Sequence, residues 1–150
     1  MAHSHSEDTK KESANVDEVR RPIKEEQEPA SEIVSEVAPN VLRTQLPVNL
    51  PGLGHVNCYV LEDEKGIAVI DPGLPGDDSW AALTNRLKTA GYKIADIHTV
   101  IVTHSHFDHF GSAERIRETT DASILTHENF RKAFNRTEIF NATENKFHMK

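Results

Sequence analysis

The sequence predicts an α/β domain in which helices pack on a mixed β-sheet. Apolar and polar residues alternate in the first half of this domain, which is the period of a β-strand. From Trp80 onward apolar residues recur at helical spacing, and short apolar runs then alternate with helix-like segments. Two strands followed by alternating strands and helices indicate a mixed or parallel sheet with helices packed on it.

Residues 1–40 differ in composition from the rest of the chain. They contain ten acidic and five basic residues, so they carry −5 of the net charge of −7, and they contain none of the aromatic residues. Such a segment cannot bury enough apolar surface to offset the entropy lost on ordering. We therefore expect a disordered acidic tail at residues 1–38 and a folded domain at residues 39–150.

The first part of the domain predicts three strands. Residues 41–48 form the first strand, and the proline and two glycines of residues 50–55 indicate a loop after it. The segments "VNCYVLE" (56–62) and "IAVID" (67–71) then predict a hairpin around the turn "DEKG". Cys58 alternates with buried neighbours in this hairpin, so we expect it to lie in the core.

The second part predicts three helices and two strands. A helix is expected over residues 79–90, because four apolar residues there share one face and Gly91 is a typical stop. The nearly continuous apolar run "IHTVIVT" (97–103) is typical of a strand buried on both faces. The remaining predicted elements are a helix at 112–119, a strand at 122–126 and a helix at 128–136.

Composition argues against several classes of partner. No basic block is present, so neither nucleic acid nor an anionic membrane is expected to bind. No apolar run approaches the roughly 20 residues of a membrane span, and the N-terminus lacks the apolar core of a secretory signal. The single cysteine excludes an internal disulfide and fits a reducing compartment, so we expect a cytoplasmic location.

The stretch "THSHFDHFG" (103–111) concentrates potential metal ligands. It contains His104, His106, Asp108 and His109 directly after the predicted buried strand. Ligands bind beyond the carboxyl ends of strands in α/β sheets. Because side chains alternate in an extended segment, the first two histidines can hold one cation, and the aspartate and third histidine can face a second. Imidazole and carboxylate suit zinc, iron or manganese.

Two simpler interpretations exist for this stretch. It could be a histidine-rich surface loop without metal, but four potential ligands in six residues at a strand end argue against that. It could hold a purely structural zinc, but such sites usually have four closed ligands, mostly cysteine. We therefore favour a site that carries chemistry.

The stretch matches the His-x-His-x-Asp-His signature of the metallo-β-lactamase superfamily. The segment "VNCYVLE" resembles the early strand of its hydroxyacylglutathione-hydrolase-like branch, and "AVIDPG" resembles the family's strand-end Asp-x-Gly. The resemblance covers roughly residues 41–135. It implies the N-terminal half of an αβ/βα sandwich, with a metal site at one edge of the sheet.

The resemblance also implies roles for individual residues. His104 and His106 would bind a first metal, and Asp108 and His109 a second, with zinc expected and iron or manganese possible. Asp71 would orient the metal loop, although it could simply start a turn. Such sites activate a hydroxide for attack on an ester-like bond of a small-molecule substrate, such as a thioester or lactone. Asp108 would also orient the water or carry a proton, which makes it the expected catalytic residue.

The resemblance is incomplete. The family also uses a third histidine, a bridging aspartate and a final histidine, and we find no match for them. His127, at the end of a predicted strand, is expected to have only a polar role, and His148 lacks a glycine-flanked setting. His55 lies on a loop that could approach the site, whereas His98 is expected at a solvated edge. Phe107 could line the substrate entrance or pack beneath the loop.

Two functional hypotheses of different class follow. The first is a metal-dependent hydrolase, of which this chain supplies only part of the site. The second is a truncated, non-catalytic fragment that binds metal weakly or serves as an interaction module. A half sandwich would expose an apolar face, so self-association through that face is expected.

Overall fold

The structure, a computed structural model, describes residues 22–130 of the 150-residue chain. Its centre is one sheet of six strands that lie side by side in chain order. The strands are β1 (Ser35–Ala38), β2 (Val41–Leu50), β3 (Leu53–Asp63), β4 (Gly66–Ile70), β5 (Ile97–Val102) and β6 (Ser123–Thr126).

Three helices accompany the sheet: α1 (Asp77–Thr89), α2 (Phe107–Phe110) and α3 (Ala113–Thr120). Short 3-10 turns also occur at Glu25–Gln27 and Ile94–Asp96. None of the helices between residues 22 and 130 combines the length and apolar character needed to cross a bilayer.

The sheet is mixed, as the sequence predicts. Strands β1 to β4 pair antiparallel, whereas β5 pairs parallel to both β4 and β6. The long β4–α1–β5 connection makes this change of direction possible, because parallel neighbours need a crossover. As a result, β4, β5 and β6 all end at the same edge of the sheet.

Two predicted boundaries move by a few residues. The predicted loop at 50–55 is only a tight turn, because Gly52 adopts a positive φ of 78° and lets Leu50 pair with Leu53. Helix α1 begins at Asp77 rather than residue 79. Two aspartates in its first turn suit the positive end of the helix dipole, which favours the earlier start.

The expected disorder of residues 1–38 is wrong for residues 35–38. They form β1, which pairs antiparallel with the edge of β2 although all four side chains are exposed. Backbone hydrogen bonds to a sheet edge need no apolar side chain, so composition alone misses such a strand. Just upstream, the Ser31 amide donates to the Gln45 side chain at 2.8 Å. Residues 1–21 lie outside the described residues.

The C-terminal helix predicted at 128–136 is not present in its described part. Residues 128 and 129 form a turn instead, in which the Phe130 amide donates to the His127 carbonyl at 2.8 Å. The rest of the predicted helix, and His148, lie outside the described residues.

The core lies between the sheet and helices α1 and α3. Its largest fully buried side chains are aliphatic and come from both layers: Leu46, Ile67, Leu83, Leu87, Ile97 and Ile116. Cys58 is also part of this cluster and is fully buried, as predicted. Burial, and to a lesser extent the negative charge of Asp71, raises the pKa of the Cys58 thiol far above its usual value.

We therefore expect Cys58 to be inert in the folded chain. Thiol reagents attack the thiolate, and a buried thiol held neutral presents almost none. Titration with a chromogenic disulfide reagent at pH 8 should label less than a tenth of the chain over the time in which the urea-unfolded chain reacts fully. Rapid labelling of the native chain would show that the core is open. Because the sequence has one cysteine, the signal has a single source.

Candidate metal site

The parallel pairing of β4 and β5 builds the site. Asp71 follows β4, and its amide donates to the carbonyl of Ile101 in β5 at 2.9 Å. Thr103 follows β5 directly and opens the histidine stretch. Because both strands end at one edge of the sheet, residues 32 positions apart in sequence become neighbours.

The chain after β5 is fixed to the loop after β4. The Ser112 amide donates to the Gly73 carbonyl at 3.1 Å, and the Ser112 hydroxyl donates to the Leu74 carbonyl at 2.7 Å. Gly111 lies so close to Pro75 that any side chain at 111 would overlap the proline ring. These contacts hold the histidine stretch against the loop that carries Asp71.

Asp71 is the centre of the hydrogen-bond network. It accepts from the Thr103 amide at 2.9 Å, from the Thr103 hydroxyl at 2.6 Å and from His109 Nδ1 at 2.9 Å. Burial alone would raise the pKa of Asp71, but the hydrogen bonds from His109 and Thr103 outweigh it, so the pKa lies below its usual value. Asp71 therefore carries its negative charge beneath the histidines.

The backbone of Asp71 is also unusual. Its φ is 53°, in the left-handed region that most residues avoid and that aspartate and asparagine tolerate best. Together with the three hydrogen bonds, this conformation argues that Asp71 does more than start a turn.

Three imidazoles converge above Asp71. The ring of His104 lies 4.7 Å from that of His106 and 4.0 Å from that of His109, measured between centroids. Burial, followed by the charges of His109 and His106, lowers the pKa of His104 below its usual value. The neutral imidazole is the form that binds a metal ion.

Asp108 and His109 start from the short helix α2. Asp108 is buried, and its Oδ2 lies 3.4 Å from His109 Nε2. One nitrogen of His109 thus faces Asp71 and the other faces Asp108. Of the five residues that the sequence nominates, Asp71, His104 and His109 bring ligand atoms into one group, whereas His106 adjoins it through the ring of His104 and Asp108 through His109.

The donor set fits a divalent metal ion. Ligand atoms of Asp71, His104 and His109 lie within 4.8 Å of one another, a grouping that includes Asp71 as a possible direct ligand. Asp71 already accepts three hydrogen bonds, so it suits orienting His109 better than binding metal. A carboxylate on the far nitrogen of a ligand histidine fixes its tautomer and raises its basicity.

Two other histidines are not part of this donor group. His98 lies at the start of β5, where its Nε2 is 3.0 Å from Asp63 Oδ2. His55 is buried, and its Nδ1 lies 2.8 Å from the Glu28 carbonyl, so it bonds to the N-terminal segment. Phe107 is partly buried and packs against the core.

His127 takes a position that the sequence does not predict. It lines a cavity of about 240 Å³ together with Thr103, His104, Ser105, Asn129 and Phe130. The parallel pairing of β5 with β6 causes this, because it ends β6 beside the histidine stretch. The sequence signal that could have indicated this position is that His127 directly follows a predicted strand, as the histidine stretch does.

Replacing Asp71 by asparagine should lower the zinc affinity of the chain about 10- to 100-fold. Asparagine preserves the shape and tolerates the positive φ, but its NH2 group cannot accept a hydrogen bond, so it cannot accept from both the Thr103 amide and His109, which bond different oxygens of Asp71. Asp121→Asn is a matched control, because Asp121 also has a positive φ, 58°, and lies at the end of α3. Equal zinc affinities of the two variants in calorimetric titrations would rule out the orienting role.

A mixed sheet with a group of histidine and aspartate side chains beyond its strand ends defines an α/β protein with a possible metal site. The family model of the metallo-beta-lactamase superfamily matches residues 51–148. The chain therefore belongs to this superfamily. Its membership confirms the resemblance seen in the sequence, but not the assignment to the hydroxyacylglutathione-hydrolase-like branch.

Individual relatives agree with this membership. The chain is 36% identical over 78 residues to a UPF0173 metal-dependent hydrolase of Pyrococcus horikoshii, covering 52% of this chain and 31% of the relative. It is 35% identical over 69 residues to the uncharacterized protein YobT of Bacillus subtilis, covering 46% and 28%. The chain thus spans about a third of the length of these curated relatives.

A solved structure is also similar. It is the metallo-beta-lactamase family protein TTHA1429 from Thermus thermophilus, with 28% identity and a TM-score of 0.58. The similarity covers 62% of this chain and 30% of that protein. The mixed sheet with its helices is therefore a metallo-beta-lactamase-like fold.

Proposed function

We propose that this chain carries the first part of a binuclear metallo-hydrolase site that acts on a thioester, lactone or other ester-like bond. The observation that carries the proposal is the hydrogen bond from His109 to the buried carboxylate of Asp71. A loop that merely happened to be rich in histidine would not need a charged residue 38 positions away to fix one ring.

The residues divide between two metal positions. His104 and His106 would hold one ion, and Asp108 and His109 the other, with zinc the first choice and iron or manganese the alternatives. When bound, such ions lower the pKa of a water molecule towards about 7 and so supply a hydroxide near neutral pH.

The chain's own side chains prepare the site for this chemistry. Thr103 donates two hydrogen bonds to Asp71, and Asp71 holds the Nδ1 proton of His109, which leaves Nε2 directed away from Asp71. Asp108 lies beside that nitrogen and is buried, so its carboxylate can take a proton from water without exchanging freely with solvent. Asp108 is therefore the proposed catalytic residue.

The proposal also names a class of substrate. A hydroxyacylglutathione-like thioester is the leading substrate, supported by the early strand "VNCYVLE". The matched UPF0173 relative is named a metal-dependent hydrolase, which supports the reaction type and not the substrate. A cytoplasmic location fits this substrate and the single reduced cysteine.

Zinc titration followed by a hydrolysis assay tests the proposal. The purified chain should bind zinc weakly, because four ligands shared between two positions leave each under-coordinated. Hydrolysis of a hydroxyacylglutathione thioester should be slow, abolished by a chelator and restored by zinc. A chain that binds no zinc at millimolar concentration would refute the proposal, whereas two tightly bound ions would show that ligands have been missed.

An interaction module is the second candidate function, and one feature of the sheet favours it. Tyr59, Ile70, Ile101 and Leu125 align across four neighbouring strands. They lie on the face opposite the helices, outside the core cluster, and Leu125 is 47% exposed. In the part of the chain that the structure describes, an aligned apolar row therefore remains accessible to a second copy.

Leu125→Lys should then shift the chain from self-associated species towards monomer in sedimentation velocity at about 100 µM, since a charge cannot be buried unpaired in an apolar contact. Val37→Lys is the matched control, because Val37 is 52% exposed but lies on the opposite edge strand, β1. A wild-type chain that is monomeric at this concentration would exclude self-association through the sheet face.

A further inference from the structure

The cavity beside His104 carries polar groups that the proposed metal positions do not use. Its six lining residues include Ser105, His127 and Asn129. Among the described residues, the side chains of Ser105 and Asn129 have no hydrogen-bond partner, and His127 has one at a single ring nitrogen. His127 and Asn129 are exposed, so a ligand in this cavity can reach them, and a few convergent polar groups in a concave site are what fixes the orientation of a ligand.

The turn after β6 fixes the tautomer of His127. The backbone amide of Asn129 donates to Nδ1 of His127 at 3.1 Å, and the Phe130 amide closes the same turn on the His127 carbonyl. A backbone amide can only donate, so Nδ1 must be the acceptor. The neutral ring therefore carries its proton at Nε2, which makes that nitrogen a hydrogen-bond donor.

This tautomer makes His127 unsuitable as a metal ligand. Its Nδ1 already accepts a hydrogen bond from the Asn129 amide. Its Nε2 carries the proton, whereas a metal ion would need a free lone pair on that nitrogen. The ring is thus a hydrogen-bond donor at Nε2 that lines the same cavity as His104.

We propose that His127 is a positioning residue that donates its Nε2 hydrogen to an acceptor oxygen of the substrate lying beside His104. This inference rests on the proposed function, and it names a substrate with a carbonyl or carboxylate oxygen near the bond that is cleaved. Ser105 and Asn129 line the same cavity and offer further polar contacts to that oxygen.

The tautomer can be measured directly in the full chain. Long-range ¹H–¹⁵N spectra of the imidazole rings should show His127 protonated at Nε2 and bare at Nδ1, with or without zinc. Protonation at Nδ1 would overturn the inference without any variant. The assignment comes from the His127→Gln spectrum, in which one ring signal disappears.

Binding of a probe tests the donor role. Acetate, a simple acceptor oxygen, is titrated into the zinc-saturated full chain and followed by the same spectra. His127→Phe keeps a ring but no donor, so it should weaken acetate binding about 3- to 10-fold, the worth of one hydrogen bond. His127→Gln restores a donor and should recover most of the affinity. Zinc affinity should be unchanged in both variants.

The possible failures are distinguishable. Loss of zinc affinity in His127→Phe would make His127 a ligand and overturn its positioning role. Equal acetate affinity in the wild type and His127→Phe, or no acetate binding at all, would also overturn it while leaving the metal site intact. A chain that binds no zinc would instead refute the proposed function, and the tautomer measurement would still stand by itself.

Discussion

Replacing His104 by alanine is expected to lower the zinc affinity of the chain roughly 100-fold. Structural zinc sites gain about 10–16 kcal/mol from some four ligands, so one ligand contributes about 3 kcal/mol, or two orders of magnitude. His104 contacts the rings of both His106 and His109, so it lies at the centre of the donor set. Calorimetric zinc titration of the purified variant measures the loss.

His98→Ala is the matched control for this substitution. His98 lies on the same strand, β5, but at its opposite end, where it faces Asp63. Its removal should leave zinc affinity within twofold of the wild type. If both variants lost affinity equally, the ion would be bound by histidines in general and the cluster would not be the site.

Replacing Gly111 by alanine should destabilise the chain by about 1–3 kcal/mol, the usual cost of overpacking. The backbone of Gly111 is ordinary helix, with φ −56° and ψ −38°, so a Cβ would cause no conformational strain. It would, however, overlap the ring and backbone nitrogen of Pro75. The histidine stretch would move away from the loop of Asp71, so zinc affinity should fall together with stability.

Gly91→Ala separates packing from backbone strain. A Cβ at Gly91 meets open space, but its φ of 90° is strained for alanine, at a cost of about 1–2 kcal/mol. Urea unfolding should therefore show both variants destabilised, whereas zinc titration should show a loss only for Gly111→Ala. Wild-type zinc affinity in Gly111→Ala would mean that the contact with Pro75 does not hold the site together.

Much of the fold could be predicted because its signals are local. The hairpin of β3 and β4 follows from alternation and turn residues, and α1 follows from apolar spacing that ends before Gly91. The candidate metal ligands could also be named from the sequence, since four of them lie within six residues. Their roles at two metal positions remain predictions that the titrations above test.

The N-terminal segment shows where local signals fail. Its composition predicts disorder, yet β1 pairs with the edge of β2, Arg43 bonds Glu25 at 2.9 Å, and Gly54 of β3 lies against the backbone of Glu28. Each of these contacts depends on an edge or surface that exists only after the sheet has formed. The composition of the N-terminal segment therefore cannot predict that it pairs with the edge of β2.

The sequence by itself determined the superfamily, the elements β2 to β6 with helices α1 and α3, and the candidate metal ligands. Only the tertiary structure decided that Asp71 holds His109 from 38 positions away, and that His127 enters the wall of the same cavity. The physical reason is that parallel strands β4, β5 and β6 end at one edge, so residues distant in sequence meet there. Periodicity specifies each strand, but neighbouring strands specify which side chains share a site.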